Sequence, residues 1–146
     1  MTEEFKRRPL GMQISTHALL PDYDDDSDTL YLHSVKEKAA ATVSFGNLAI
    51  DFAKDGGVVG LEFLNATSSL PPFLVLSHKN MFETPQRMKS EVLAHIKKAN
   101  VSVHTAADLF IIAFTFHVDE QALEGRLNLP VPAQSQEEML KILASP

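Results

Sequence analysis

Apolar and polar residues alternate in several short runs between residues 29 and 63, and a period of two is typical of half-buried β-strands. Gly46-Asn47 and residues 54–57 separate these runs and have the composition of tight turns. Consecutive strands joined by tight turns predict an antiparallel β-meander. Its predicted strands cover residues 29–35, 41–45, 48–53 and 59–63.

The runs on either side of this meander predict further elements. Residues 13–20 favour an edge strand, because Pro21 follows them and cannot donate a backbone hydrogen bond. After the meander the period becomes helical: Thr84 can cap a helix, Pro85 suits its first position, and apolar residues then recur on one face. This pattern predicts a helix over residues 85–99.

Three later runs predict a second antiparallel meander, over residues 101–104, 109–118 and 123–129. Residues 136–143 predict a short C-terminal helix. The predicted fold class is therefore α+β: an antiparallel β-meander followed by a helix, a second three-strand meander and a short C-terminal helix. We expect residues 1–146 to form a single domain, because the chain has an ordinary domain length.

Composition and charge narrow the classes of partner. Hydrophobic residues make up 45% of the chain and charged residues 22%, which is typical of a globular protein. The net charge is −6, and residues 1–67 hold 11 acids against 6 bases. An acidic chain lacks the basic surface that nucleic acids require, so we expect no nucleic-acid partner. No apolar run approaches the length of a membrane span, so we expect no membrane association and a cytoplasmic location.

The absence of cysteine excludes disulfides, thiolate nucleophiles and thiolate metal sites. No phosphate-binding loop or serine nucleophile motif is present, and we expect no cofactor. The acidic segment 22–28 has the composition of a turn. Its alternating carboxylates are also candidate ligands for a divalent cation, although an EF-hand would need Gly at Ser27 and Glu at His33. The candidate metal ligands in this segment are Asp24, Asp26 and Asp28.

Two further carboxylates are candidate catalytic residues. Asp51 and Glu62 fall on the polar faces of adjacent predicted strands, where a pair of carboxylates can perform acid–base chemistry. A solvated sheet face explains the same two positions. The six histidines form no local metal-binding pair, but His33, His104 and His117 lie on predicted strands that could meet across a sheet.

Four short segments resemble a known family: Tyr23-Asp24, Asp28–Leu32, Leu48–Phe52 and the run from Asp55 to Thr67. Together they are similar to the small prokaryotic family called domain of unknown function 2283, over about residues 21–67. The resemblance implies a small β-meander unit. It implies no activity, because none is established for the family, and it leaves residues 68–146 as an extension.

The leading hypothesis is a non-enzymatic β module that self-associates or binds a partner protein. One alternative is a small-molecule or metal-assisted enzyme that uses Asp51, Glu62 and a histidine. Another is an antitoxin-like partner of a small basic protein, which the acidic first half of the chain would suit.

The strand predicted over residues 109–118 is apolar on both faces, so something must cover the second face. In a monomer, the predicted helix over residues 85–99 could cover part of one face and the first meander the other. A two-fold symmetric pair, the commonest kind of assembly, would also cover the strip. We therefore predict a homodimer with this strand, or the adjacent strand over residues 123–129, at or near the interface.

Overall fold

The computed structural model describes residues 12–74, 81–84, 86–106 and 109–130, and strands dominate them. The strands form an 8-stranded sheet and a 2-stranded hairpin. The elements are β1 (Met12–Asp24), β2 (Thr29–His33), β3 (Ala41–Phe45), β4 (Leu48–Phe52), β5 (Val58–Leu64), α1 (Ala66–Ser69), a 3-10 turn (Pro71–Phe73), β6 (Phe82–Thr84), β7 (Arg87–Met88), α2 (Ser90–Ala94), β8 (Ile96–Ala106), β9 (Leu109–Val118) and β10 (Gln121–Pro130).

The large sheet is antiparallel, with the order β10-β9-β8-β1-β2-β5-β4-β3. Strand β1 joins its two halves, because residues 12–19 pair with β8 whereas residues 20–24 pair with β2. The prediction of an edge strand ending at Pro21 is therefore wrong. Pro21 is tolerated because it lies in the part of β1 that has only β2 as a neighbour, where a missing N–H need not break a ladder.

The first half of the sheet differs in one respect from a simple meander. Strands β3, β4 and β5 follow one another as predicted, and the turn at Gly46-Asn47 joins β3 to β4 with Gly46 at φ 58°. Strand β2, however, pairs with β5 and not with its successor β3. This order is that of a Greek key, because the connection over residues 34–40 carries the chain to the far edge.

The second half is the predicted three-strand meander, in which β8 pairs with β9 and β9 with β10. The helix predicted over residues 85–99 is wrong. Its place is taken by β7, the five-residue helix α2 and the first residues of β8. The described residues are thus predominantly β, and only short helices support the α component of the predicted class. The predicted helix over residues 136–143 lies outside the described residues.

One hydrophobic core unites the two halves of the sheet. The ring of Phe52 on β4 lies 6.4 Å from that of Phe110 on β9, and Phe63 on β5 lies 6.3 Å from Phe114. Because β4 and β5 are distant from β9 in strand order, the sheet must curl until its halves face each other. No helix within the described residues is both long and apolar enough to cross a membrane.

Candidate functional site

The outer surface of the first half of the sheet carries the polar residues that alternate with its core. In β2, Leu30 and Leu32 are buried, whereas Tyr31 between them is exposed. The same alternation in β4 and β5 leaves Asp51 and Glu62 half-buried on the outer side. The strand register aligns the outward residues in two neighbouring rows that run across the strands. The first row is Leu20, His33, Gly60, Asp51 and Thr42, and the second is Asp22, Tyr31, Glu62, Ala49 and Ser44.

This surface, which we call the acidic face, has one sign of charge. The two rows hold the carboxylates of Asp22, Asp51 and Glu62, and Asp24 continues the line along β1. Strands β1 to β5 contain neither lysine nor arginine. The bases in this part of the chain lie in the connections between strands. Within these five strands, the charges of aspartate and glutamate are therefore not balanced by lysine or arginine.

Tyr31 lies at the centre of the acidic face. It is 37% exposed, and its ring stacks on that of His33 with centroids 5.1 Å apart. Burial raises the pKa of Tyr31 above its ordinary 10.0, and the negative charges of Asp51 and Glu62 raise it further. The phenol therefore keeps its proton at neutral pH and offers a hydroxyl donor near both carboxylates.

Gly60 lies beneath the side chain of Asp51 in the acidic face. It lies opposite His33 on one side and Asp51 on the other. A Cβ at this position would collide with the carboxylate of Asp51, so only glycine leaves room for that side chain over β5. The carboxylate accepts a hydrogen bond of 2.7 Å from Thr42 Oγ1. The buried Nδ1 of His33 has no hydrogen-bond partner among the described residues.

The acidic turn of residues 22–28 is organised by internal hydrogen bonds. Asp28 accepts one from the Tyr23 hydroxyl at 2.7 Å and one from Thr67 Oγ1 at 2.6 Å, while the Thr67 amide donates to both carboxylate oxygens. Asp24 accepts from the Asp26 amide at 3.0 Å and from the Ser27 hydroxyl at 2.9 Å. Two of the three candidate metal ligands are thus used to build the turn.

Metal-binding geometry occurs elsewhere. Among the described residues, the one group of three side chains whose ligand atoms all lie within 4.8 Å of one another is His17, Glu37 and Asp55. Asp24, Asp26 and Asp28 do not form such a group, nor do the three histidines that the sequence places on strands.

Two of those three histidines lie on the other half of the sheet, away from His33. His104 on β8 and His117 on β9 each face outward there. Burial and the nearby Arg126 lower the pKa of His104, whose Nε2 lies 3.0 Å from Ser102 Oγ. These side chains therefore add nothing to the acidic face.

An open cleft of about 550 Å³ lies near α2 and the β9–β10 turn. It shares no residue with the acidic face. Its lining is Met81, Lys89, Glu91, Val92, His95, Val118, Asp119, Glu120 and Gln121.

The sequence predicts some of these residues and misses others. It predicts that Asp51 and Glu62 share one face. The alternation in β2 indicates that Tyr31 faces outward but does not place it beside these two carboxylates. The group of His17, Glu37 and Asp55 has no sequence signal, because its members come from a strand, a loop and a turn far apart in the chain.

The matches with known proteins each cover about a third of the chain. An uncharacterised protein of Methanocaldococcus jannaschii, MJ0789, is 39% identical over 46 residues, which are 32% of this chain and 40% of that protein. No solved structure matches the chain. Tyr31, His33, Asp51, Gly60 and Glu62 all fall within the segment that a family model matches. That segment, residues 22–66, is similar to the family described as Protein of unknown function (DUF2283).

Proposed function

We propose that this chain is a non-enzymatic binding module and that its acidic face takes a positively charged segment of a partner protein. The observation that carries the proposal is the charge of that face. Its strands present Asp22, Asp24, Asp51 and Glu62 without a single lysine or arginine. A surface of one sign attracts the opposite charge over a distance and rejects partners of the same sign.

The non-charged residues of the acidic face support the same function. Tyr31 combines an exposed ring with a hydroxyl donor, and tyrosine is among the residues that most often anchor protein interfaces. Leu20 is the end residue of one row, and Leu64 follows Glu62 on the outer side of β5. They are 47% and 43% exposed. A partner that laid the alkyl stems of its lysines over these apolar side chains would bury them while pairing its charges.

The geometry favours binding over catalysis. Asp51 and Glu62 are diagonal neighbours on the outside of a sheet, and the described cleft is lined by other residues. Small-molecule enzymes usually enclose their substrates in a concave site. An enzyme that uses Asp51, Glu62 and His33 remains the alternative hypothesis.

A labelled peptide of alternating lysine and alanine tests the proposal. When extended, it places all its lysines on one side, at the spacing of the rows. We expect fluorescence anisotropy to show binding that weakens with salt. The double variant Asp51→Asn with Glu62→Gln should bind about three- to tenfold more weakly, as expected for two exposed ion pairs.

The matched control is Glu120→Gln with Glu124→Gln. It removes the same charge from exposed positions on the other half of the sheet. The proposal predicts wild-type affinity for this control. Equal weakening in both double variants would show attraction by net charge alone and would contradict a specific acidic face.

Self-association is a second candidate function, favoured by the edge strand β10. It runs from Gln121 to Pro130 at the end of the sheet. Among the described residues, its outer side makes one bridge, between Gly125 and Leu74. Unpaired edges are templates for a strand of another chain. We expect light scattering over a dilution series to show a homodimer, and a 16.1 kDa species at every concentration would remove this candidate.

A further inference from the structure

Three segments meet at the end of the first half of the sheet, beyond the acidic face. His17 comes from β1, Glu37 from the connection between β2 and β3, and Asp55 from the turn between β4 and β5. Their ligand atoms all lie within 4.8 Å of one another. We propose that these three side chains bind a divalent transition-metal cation of the Zn²⁺ type.

The position of the imidazole supports a ligand at this site. His17 is only 14% exposed, and its Nε2 atom is buried without a hydrogen-bond partner among the described residues. A buried nitrogen without a partner is costly unless something else binds it. Asp55 Oδ2 lies 3.5 Å from it, which is an ion-pair distance but makes no hydrogen bond.

The separation of these atoms suits a tetrahedral metal. Two ligand atoms about 2.1 Å from a tetrahedral zinc ion are about 3.4 Å apart. The 3.5 Å between Nε2 and Oδ2 already matches one edge of that tetrahedron. Glu37 is exposed on a loop and needs only a side-chain adjustment to complete the set.

The ligand types set the class of cation. One imidazole nitrogen with two carboxylates suits first-row transition ions, whereas Mg²⁺ and Ca²⁺ prefer all-oxygen sites. Three protein ligands leave a fourth position for water, as in many open zinc sites. Asp55 also accepts a hydrogen bond of 2.8 Å through Oδ1 from the Gly57 amide, which fixes the carboxylate so that Oδ2 faces His17.

Metal binding at this site would restrain the connection over residues 34–40. Hydrogen bonds from the Ser34 and Ala40 amides to the Val59 and Phe52 carbonyls hold the two ends of that segment. Inside it, the Ser34 hydroxyl accepts from the amides of Lys36 and Glu37 at 3.2 Å. Glu37 bound to the metal would tie the middle of the loop to β1 and the β4–β5 turn. Lys36 and Lys38 on either side of it would then become poorer substrates for trypsin.

The test uses the full untagged chain with Zn²⁺, and with Mg²⁺ and Ca²⁺ as comparison ions. Calorimetry should show one Zn²⁺ per chain at this site. Zn²⁺ should raise the melting temperature by several degrees and slow tryptic cleavage after Lys36 and Lys38, and the other two ions should do neither. His17→Gln, Glu37→Gln and Asp55→Asn should each weaken Zn²⁺ binding by about tenfold or more.

His95→Gln and Glu120→Gln are the matched controls, since both residues are exposed and lie outside the group. Their Zn²⁺ affinity should equal that of the wild type. Glu37→Gln guards against a folding defect, because Glu37 is an exposed loop residue. Zn²⁺ binding that survives all three site variants, or no binding by a folded wild type, would overturn the proposal.

Discussion

At the scale of single residues, Asp28 fixes the architecture of the family-like segment. Its carboxylate accepts hydrogen bonds from Tyr23 before the turn and from Thr67 after β5, and its carbonyl accepts one from the Ala66 amide at 2.8 Å. Its φ of 54° is left-handed, a conformation that aspartate and asparagine tolerate better than most residues. Asp28 therefore joins both ends of the segment that the family model matches.

Replacing Asp28 tests this structural role. Asp28→Asn keeps the backbone conformation but loses the charge and one acceptor oxygen, and should lower the free energy of unfolding by about 2 to 3 kcal/mol. Tyr23→Phe removes one hydrogen bond and should cost about 1 kcal/mol. Asp26→Asn, an exposed neighbour, should stay within about half a kcal/mol of wild type. Urea unfolding measures all three, and an Asp28→Asn chain as stable as Asp26→Asn would contradict the assignment.

The two tyrosines of the chain report on their surroundings by titration. The pKa of Tyr31 is raised by burial and then by Asp51 and Glu62. That of Tyr23 is raised further, by burial and by its hydrogen bond to Asp28. We expect an ultraviolet absorbance titration to show two steps above pH 10.0, with Tyr31 first.

The double variant Asp51→Asn with Glu62→Gln should lower only the pKa of Tyr31, the first step of the titration, toward its ordinary value of 10.0. Because a raised pKa favours the protonated tyrosine in the folded state, its contribution to stability is complete below pH 10.0 and is lost as the pH rises through the folded value. The free energy of unfolding should therefore fall at alkaline pH. A first step unmoved by the double variant would show that the carboxylates lie too far from Tyr31 to act on it.

At the scale of elements, a bulge near the start of β8 explains why the sequence predicts a helix there. Ile96 pairs with Val118, and Lys98 then pairs with His117, so a bulge at Lys97 inserts one extra residue. Both Ile96 and Ala99 consequently face the core, although a regular strand would turn residues three apart to opposite sides. This spacing of three imitates a helical face. From Ala99 onward the alternation is regular, and the strand predicted over residues 101–104 lies within this part of β8.

The pairing of β2 with β5 also cannot be predicted from the sequence pattern. The alternating pattern predicts each strand of the first half and its tight turns, because those depend on neighbouring residues. Residues 34–40 form a seven-residue connection between β2 and β3. After a connection of this length, which strands pair depends instead on the packing of the whole sheet. The outward rows of the acidic face depend on that pairing, so the sequence could place Asp51 beside Glu62 but not Tyr31 beside both.

Strand β10 depends on a glycine at its centre. Gly125 lies opposite Phe114 in the register, and a Cβ at Gly125 would collide with the Phe114 ring. Gly125→Ala would displace this ring from Phe63 and Phe116, so we expect a loss of about 1 to 3 kcal/mol in the free energy of unfolding. Asn128→Ala, at an exposed position of the same strand, is the control and should change little. A Gly125→Ala chain as stable as the wild type would show that the Phe114 ring can move aside without cost, and would contradict this prediction.

At the scale of the whole molecule, the curled sheet explains the apolar strand β9. Phe110, Phe114 and their inward neighbours pack against the first half of the sheet. On the outer side, Ile111 lies between His104 and Asn128 in the strand register and is only 5% exposed. Burial of β9 thus does not by itself require a second copy of the chain. The proposal of self-association therefore rests on the edge of β10.

The curling also gives the molecule two different outer faces. The acidic face covers the first half of the sheet, whereas the outer side of the second half carries both signs, including Lys98, Glu124 and Arg126. If local charge determines binding, a cationic partner should therefore bind the acidic face more tightly than the outer side of the second half.

An NMR titration tests most directly whether a cationic peptide binds the acidic face and not the outer side of the second half of the sheet. Nitrogen-15-labelled protein would be titrated with the alternating lysine–alanine peptide at low salt. We expect the largest changes in backbone amide chemical shift in β2, β4 and β5, around Tyr31, Asp51 and Glu62. Largest shifts in β8 to β10, or no shifts at saturating peptide, would contradict the account.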